Sequence, residues 1–433
     1  MPYAIATAAI VLALLVGPSV MRGRARWLDF ALVLYVAFLA LQLVPLSPPV
    51  RLTLSPALRA IDVRLRLDAP VNAGADTPQP LSVDANGTAE TLALAVAAIL
   101  TFWCARTLFR RNGIRMGARA VALFGLLVAA FGIAQHATAP RSLYWLRTFR
   151  YTEPFGPYLN RSDFAMWMVM ALPLTAGYLL ARMHSRQRRG ANLFTADAFD
   201  DTALLLAVAM GLMVAALMVA LSRSGLVGAA SAAVTLWALA EQHLHRERRA
   251  WLLGGIGAVA LAALFFANAS AVATRIGDTL DRGMGGRLDI WRATMPMIRD
   301  FWRTGVGAGA YERAMIVYQP APHETYFNHA HNEYLQLLAE GGLLLAIPAV
   351  LAAVAAVRCI RSRIADDVTP VYWIRVGAAS GMAGAAVQSL WETGLRRPAN
   401  LLLFAMLAAF ATYSASQPSR RAGDDSTGVR QRQ

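Results

Sequence analysis

The chain has 433 residues, of which 57% are hydrophobic and 15% charged, with a mean hydropathy of +0.44. Polar side chains in that proportion cannot cover a water-soluble fold, so the composition excludes a soluble enzyme and makes a bilayer the natural solvent. The formal net charge of +15 comes from arginine alone, since no lysine occurs, and without a basic, aromatic-interleaved soluble module no nucleic-acid partner is expected.

Apolar runs long enough to cross a hydrocarbon layer of roughly 30 Å as helices fall at about 3–21, 28–46, 91–109, 118–137, 162–182, 202–221, 225–241, 251–268, 341–359, 371–391 and 400–415. The expected fold is all-α: a single polytopic membrane domain over 1–433, with about 11–12 transmembrane helices and a large outward loop bearing short helices. The first run has no basic n-region and no small-residue cleavage site, so it reads as a span and not as a removable signal peptide.

Arginine orients the spans. The short connections after the first, third, fifth, seventh and ninth runs carry Arg22, Arg24 and Arg26; Arg110, Arg111 and Arg115; Arg186, Arg188 and Arg189; Arg246, Arg248 and Arg249; and Arg358, Arg361 and Arg363. The positive-inside rule makes these connections cytoplasmic. Arg420, Arg421, Arg430 and Arg432 put the tail inside as well, with 416–433 expected to be disordered; an outside N-terminus then requires an odd number of crossings, which eleven satisfies. Cys104 and Cys359 fall near cytoplasmic span ends, where thiols stay reduced, and imply neither a disulfide nor a metal site.

The longer connections face outward. Residues 47–90 are rich in Pro, Asp, Ala and Gly and read as a flexible or weakly structured cover. Residues 138–161 place Arg141, Arg147, Arg150 and Arg161 among aromatic side chains. The largest, 269–340, opens with an interfacial helix whose apolar stripe is read as Leu288, Trp291, Met295, Ile298 and Trp302, with Asp289, Arg292, Arg299 and Arg303 off the stripe and Pro296 as a kink or break. Gly305, Gly307 and Gly309 then form GVGAG, read as a tight flexible turn; it follows a helix and lies outside, which makes it a poor nucleotide loop.

Three of the seven histidines, His323, His329 and His331, lie within nine residues of one another before the ninth run. Histidine is the usual side chain for proton transfer near neutral pH. His329 and His331 could instead cap the following helix, and a metal reading of His-x-His lacks a third ligand with convincing spacing. Between the sixth and seventh runs, Ser222-Arg223-Ser224-Gly225 holds Arg223 at the membrane boundary, where an uncompensated guanidinium is costly. It is either functional or a snorkelling side chain.

These segments resemble the O-antigen ligase and polysaccharide polymerase superfamily of bacterial envelopes. The motifs are SRSG, Gly286-Arg287-Leu288-Asp289-Ile290-Trp291, Thr304-Gly305-Val306-Gly307 and HAHNEYLQLLAEGG from His329. Asn160-Arg161 through Phe164-Ala165 is similar to the family's NRxxFA, and Gln388-Ser389-Leu390-Trp391-Glu392 with Arg397-Pro398-Ala399-Asn400 resembles its penultimate outward loop. The resemblance covers about 150–415.

It implies a bacterial inner-membrane enzyme, with no cofactor and no metal, that moves a glycan with inversion from undecaprenyl diphosphate to an acceptor hydroxyl. The acceptor would be lipid A core in a ligase or a second lipid-linked glycan in a polymerase; a protein hydroxyl is a further variant. His331 is the candidate general base, ahead of His329 because the family's motif centres on the His-Asn pair. Arg223 and Arg287 are the candidates for gripping the diphosphate, since guanidinium forks bind phosphate oxygens bidentately. Arg161, Arg292, His329, Asn332 and Glu333 are the remaining substrate-binding candidates. No outward Asp-x-Asp is present to hold a metal for a nucleotide sugar. A transporter of lipid-linked glycans is the competing class; it calls for charge deep inside the spans, and Arg375 alone answers to that.

Overall fold

A computed structural model of the chain describes residues 1–21, 23–65, 77–149, 152, 154–187, 200–240, 286–319 and 326–414. The described residues are overwhelmingly helical, and the fold is that of an all-α polytopic membrane protein. In chain order the helices are α1 (Pro2–Val16), α2 (Arg26–Leu41), α3 (Pro48–Leu54), α4 (Leu58–Leu65), α5 (Ala85–Leu108), α6 (Ile114–Thr138), α7 (Arg161–Gln187), α8 (Asp201–Val219) and α9 (Arg223–Ala240). They continue with α10 (286–300), α11 (Tyr311–Tyr318), α12 (Glu333–Ala365), α13 (Val371–Gln388) and α14 (Pro398–Thr412).

Among the described residues, six helices are long and apolar enough to cross a membrane: α5, α6, α7, α8, α9 and α12. The ends of the chain add the shorter apolar helices α1 and α14. Each predicted run except 251–268 coincides with a helix, and that run and the tail lie outside the described residues.

The spans pack through small residues, as membrane helices do where apolar burial alone gives no preference. A Cβ on Gly177 of α7 would stand 2.2 Å from the carbonyl oxygen of Trp373, and one on Gly377 of α13 would stand 2.2 Å from that of Pro173. Only glycine allows the two backbones this close, so α7 and α13 form the central seam.

The two ends of the bundle differ in chemistry. At one end arginines meet acidic side chains of other segments: Arg24 pairs with Asp366, Arg106 with Asp29 at 2.8 Å, and Arg182 with Asp200. Arg375 belongs here too. Its guanidinium reaches Asp367 at 2.7 Å and the carbonyl oxygens of Arg363 and Tyr413 at 2.9 Å each, so the buried charge is paired with a carboxylate where α12 and α14 leave the bundle.

At the other end the loops build a small second core of their own. Leu58 and Ile61 of α4, Leu81, Ala293, Met297 and Phe301 of α10 and its end, and Tyr311, Ala314 and Met315 of α11 are buried together. Residues 48–65 and 77–84 are thus not a weakly structured cover: Leu58, Ile61 and Leu65 recur at helical spacing and dock on α10 and α11.

The α10 stripe also differs from the expected one. The helix buries Ala293, Thr294, Met297 and Phe301, leaving Leu288, Met295 and Trp302 exposed. It runs through Pro296 without a break. The largest apolar side chains suggested one face, while the buried face is built partly from small residues that carry little hydrophobic signal.

GVGAG is likewise fixed, not flexible. Gly305, Gly307 and Gly309 have φ of 68°, 108° and 80°, the left-handed region open to glycine. Val306 N donates to Ala339 O and Gly307 N to Glu340 O, each at 3.0 Å, and Val83 N donates to Val306 O at 2.9 Å. The amide of Gln42, at the end of α2, bonds Thr304 O (2.8 Å), Glu340 O (3.0 Å) and Ala308 N (3.0 Å), so every part of this buried group is satisfied. Opposite the turn, α12 breaks at Gly342 (φ 53°), where Leu343 N donates to Trp302 O. The helix therefore starts at Glu333, well before the predicted ninth span, and divides into a short outer part and a membrane-crossing part.

Candidate functional site

Four helices of the bundle, α7, α9, α12 and α14, begin around one loop, 389–397. Ser162, at the start of α7, meets Ser222 Oγ at 3.1 Å, and its carbonyl oxygen accepts from Gln388 Nε2 at 3.0 Å. Ser222 Oγ accepts from Gly225 N at 3.2 Å, an N-cap for α9 of the kind serine favours. Glu333 N, in the first turn of α12, donates to Ser389 O at 2.9 Å. Asn400, in the first turn of α14, donates to Asp163 O at 2.9 Å and accepts from Tyr158 OH at 3.0 Å. Helix N-termini carry partial positive charge, so this convergence favours an anion.

Glu392 stands at the centre of the loop. Its carboxylate is 5% exposed, and a buried charge of this kind persists only with partners. Arg287 Nη2, from the first turn of α10, donates to Oε1 at 2.6 Å, with Ser224 Oγ 3.5 Å from the same oxygen. The other oxygen, Oε2, faces His331 Nδ1 at 3.6 Å, longer than a hydrogen bond. Three separate segments are thereby gathered on one carboxylate.

The backbone holds His331 unusually, at φ 48°, which for a residue other than glycine requires surroundings that over-determine it. The cap of α12 is Asn332 and neither histidine: Asn332 Oδ1 accepts from Tyr334 N at 3.0 Å and Leu335 N at 3.1 Å. On the far side of His331, Ala330 O accepts from Trp291 Nε1 of α10 at 2.9 Å. His329 is half-buried, and burial, reinforced by Arg396, Arg397 and His331, pushes its imidazole down to about 4.

The next two arginines of the loop turn in different directions. Arg396 pairs with Glu340 at 2.8 Å and with Glu333 at 3.3 Å. Arg397 donates through Nε to Asp163 at 2.7 Å and keeps a half-exposed side chain. Among the described residues no group of three or more His, Cys, Asp or Glu side chains converges as a metal-binding cluster.

The O-antigen ligase family model matches residues 208–350. Over that segment the chain is similar to the O-antigen ligase family. No curated protein matches it. The superfamily's general activity is glycosyl transfer of the ligase or polymerase type by a membrane protein working on lipid-linked glycans. The matched segment takes in α8, α9, α10, the glycine turn and the His331 loop; Asp163, Glu392, Arg396 and Arg397, which complete the constellation, lie outside it.

Of the residues singled out in the sequence, the fold brings Arg287 and His331 onto Glu392. Arg223 and Arg161 stand exposed and half-buried at the starts of α9 and α7, beside Ser224 and Ser162. Glu333 meets Arg396, and Asn332 spends its side-chain oxygen on the cap. Arg292 lies on the exposed face of α10, where it pairs with Asp289 at 3.3 Å, and is not placed against Glu392. Sequence reasoning missed Glu392, Asp163, Arg396 and Arg397 as site residues. A carboxylate directly after the predicted run 371–391, followed by the paired Arg396 and Arg397, is the signal that could have found them.

Proposed function

We propose that this chain transfers a glycan from undecaprenyl diphosphate to a hydroxyl of lipid A core, on the periplasmic side of the bacterial inner membrane, with inversion and without a metal. The observation that carries the reading is the meeting of Arg287, His331 and Glu392 where four helix N-termini converge, at the end of the bundle opposite the short arginine-rich connections. By the positive-inside rule that end faces the periplasm.

The chemistry follows from the donor sets. The acceptor oxygen attacks the anomeric carbon from the face opposite the diphosphate; its proton passes to His331, and the C–O bond to the diphosphate breaks with its electron pair leaving on the phosphate oxygen. His331 directs Nδ1 toward Glu392, which leaves Nε2 as the proton acceptor, and a carboxylate behind an imidazole stabilises the cation that forms. Arg287, anchored to Glu392 by one nitrogen, and Arg223 and Arg397 at neighbouring helix starts supply fixed positive charge to the leaving diphosphate. The Coulombic gain is largest in a site closed from water.

A polymerase uses the same donor chemistry with a second lipid-linked glycan as acceptor. The transporter alternative loses its main support, because Arg375 is held by Asp367 and two carbonyl oxygens at the opposite end of the bundle. The test is to give the purified protein in proteoliposomes lipid-linked glycan with lipid A core or, separately, with a second lipid-linked unit. Glycan appearing on core lipid is the expected result. Growth of the lipid-linked chain would instead mark a polymerase, and unchanged donor with both acceptors would overturn the transferase reading.

A further inference from the structure

We infer that Arg396 is a positioning residue that holds His331 in its working conformation through a chain of side chains, Arg396–Glu340–Gln336, ending on the peptide unit next to the histidine. The inference rests on the proposed role of His331 as the base.

The chain is continuous, and beyond Arg396 it is buried. Arg396 Nη1 donates to Glu340 Oε2 at 2.8 Å. Glu340 Oε1 accepts from Gln336 Nε2 at 2.9 Å, and Gln336 Oε1 accepts from Ala330 N at 2.6 Å. Glu340 is 3% exposed, and Gln336 and Ala330 are fully buried. A carboxylate only accepts, so Glu340 dictates that the Gln336 amide present its oxygen to Ala330. The peptide before His331 is thus fixed by a group whose orientation is set by Glu340, and Glu340 in turn is set by Arg396. Trp291 Nε1 holds the carbonyl oxygen of the same residue, so Ala330 is gripped on both sides.

This grip accounts for the backbone of His331. Its φ of 48° is tolerated in a residue other than glycine only when neighbours over-determine it. Asn332 and the Glu333–Ser389 bond fix the chain after it, and the Gln336 amide fixes the chain before it. Adjacent arginines therefore divide the work: Arg396 turns inward to hold the loop, and Arg397 remains at the half-exposed start of α14.

The test uses the full-length protein in proteoliposomes with lipid-linked donor. Gln336→Met keeps the volume and removes both bonds, so kcat should fall about tenfold or more while the KM for donor stays within about twofold, because misplacing a base affects the chemical step and not donor binding. In a His331→Ala background the same change should cost nothing further, since a residue acting only through His331 has nothing left to position. Arg396→Lys, which keeps the charge but not the planar fork, should show the same pattern with a smaller loss, and serves if Gln336→Met does not accumulate. An equal fall in kcat in both backgrounds would mark a merely structural role and overturn the inference, as would wild-type kcat in both variants. If His331→Ala itself transfers at the wild-type rate, the general-base reading fails first and the inference with it.

Discussion

Arg287 and Glu392 form an ion pair at 2.6 Å across 105 residues of chain, joining the first turn of α10 to the loop before α14. The pair does two things at once: it places a guanidinium at the mouth of four helix N-termini, and it orients the carboxylate whose other oxygen faces His331.

Glu392→Gln keeps the shape and loses the charge. Transfer should fall by about 10²–10⁴ while donor still binds, because the imidazolium formed at His331 loses its partner. Transfer rate and donor binding measured on the purified variant check this, and a rate within a few-fold of wild type would remove Glu392 from the chemistry.

Arg287→Lys and Arg223→Lys keep charge without the fork. Both should weaken donor use, because lysine meets phosphate as a point charge. Titration with lipid-linked donor is the measurement; donor KM unchanged in both variants would place the diphosphate elsewhere.

A substitution at Gly305 should destabilise. The residue sits at φ 68°, and an added Cβ would lie 2.1 Å from the carbonyl of Glu340. Gly305→Ala should lose on the order of 3 kcal/mol or fail to accumulate, whereas Gly211→Ala, with open space around it, should not. Thermal unfolding of the two purified variants decides it.

How legible was all this in the sequence? The spans were, because runs of about 20 apolar residues carry a strong signal, and the sequence also singled out His331 and Arg287, which the structure brings to the same carboxylate. What escaped depends on tertiary placement. Nothing local marks Gln42 as the residue that satisfies the glycine turn, nor Glu340 as partner of Arg396 rather than of solvent. On α10 the large side chains Leu288, Met295 and Trp302 drew attention from Ala293 and Met297, which the second core buries.

His329 should impose an acid limit on stability. Its imidazole is held down to about 4 by burial, with Arg396, Arg397 and His331 adding to it, whereas an unfolded histidine titrates near 6.5. Between those values the unfolded chain binds more protons, so stability falls as pH is lowered through that window. His329→Gln should flatten the fall between pH 6.5 and 4.5 in thermal unfolding. An identical slope in both proteins would contradict the assignment.

The central claim is that His331 takes the acceptor's proton, and His331→Ala tests it most directly. The variant is compared with wild type at matched membrane expression for two quantities, binding of lipid-linked donor and rate of glycan transfer. Donor binding should be retained while transfer falls by about 10²–10⁴, because a general base acts on the acceptor and adds little to donor affinity. Near-normal transfer by a well-expressed His331→Ala protein would contradict the account.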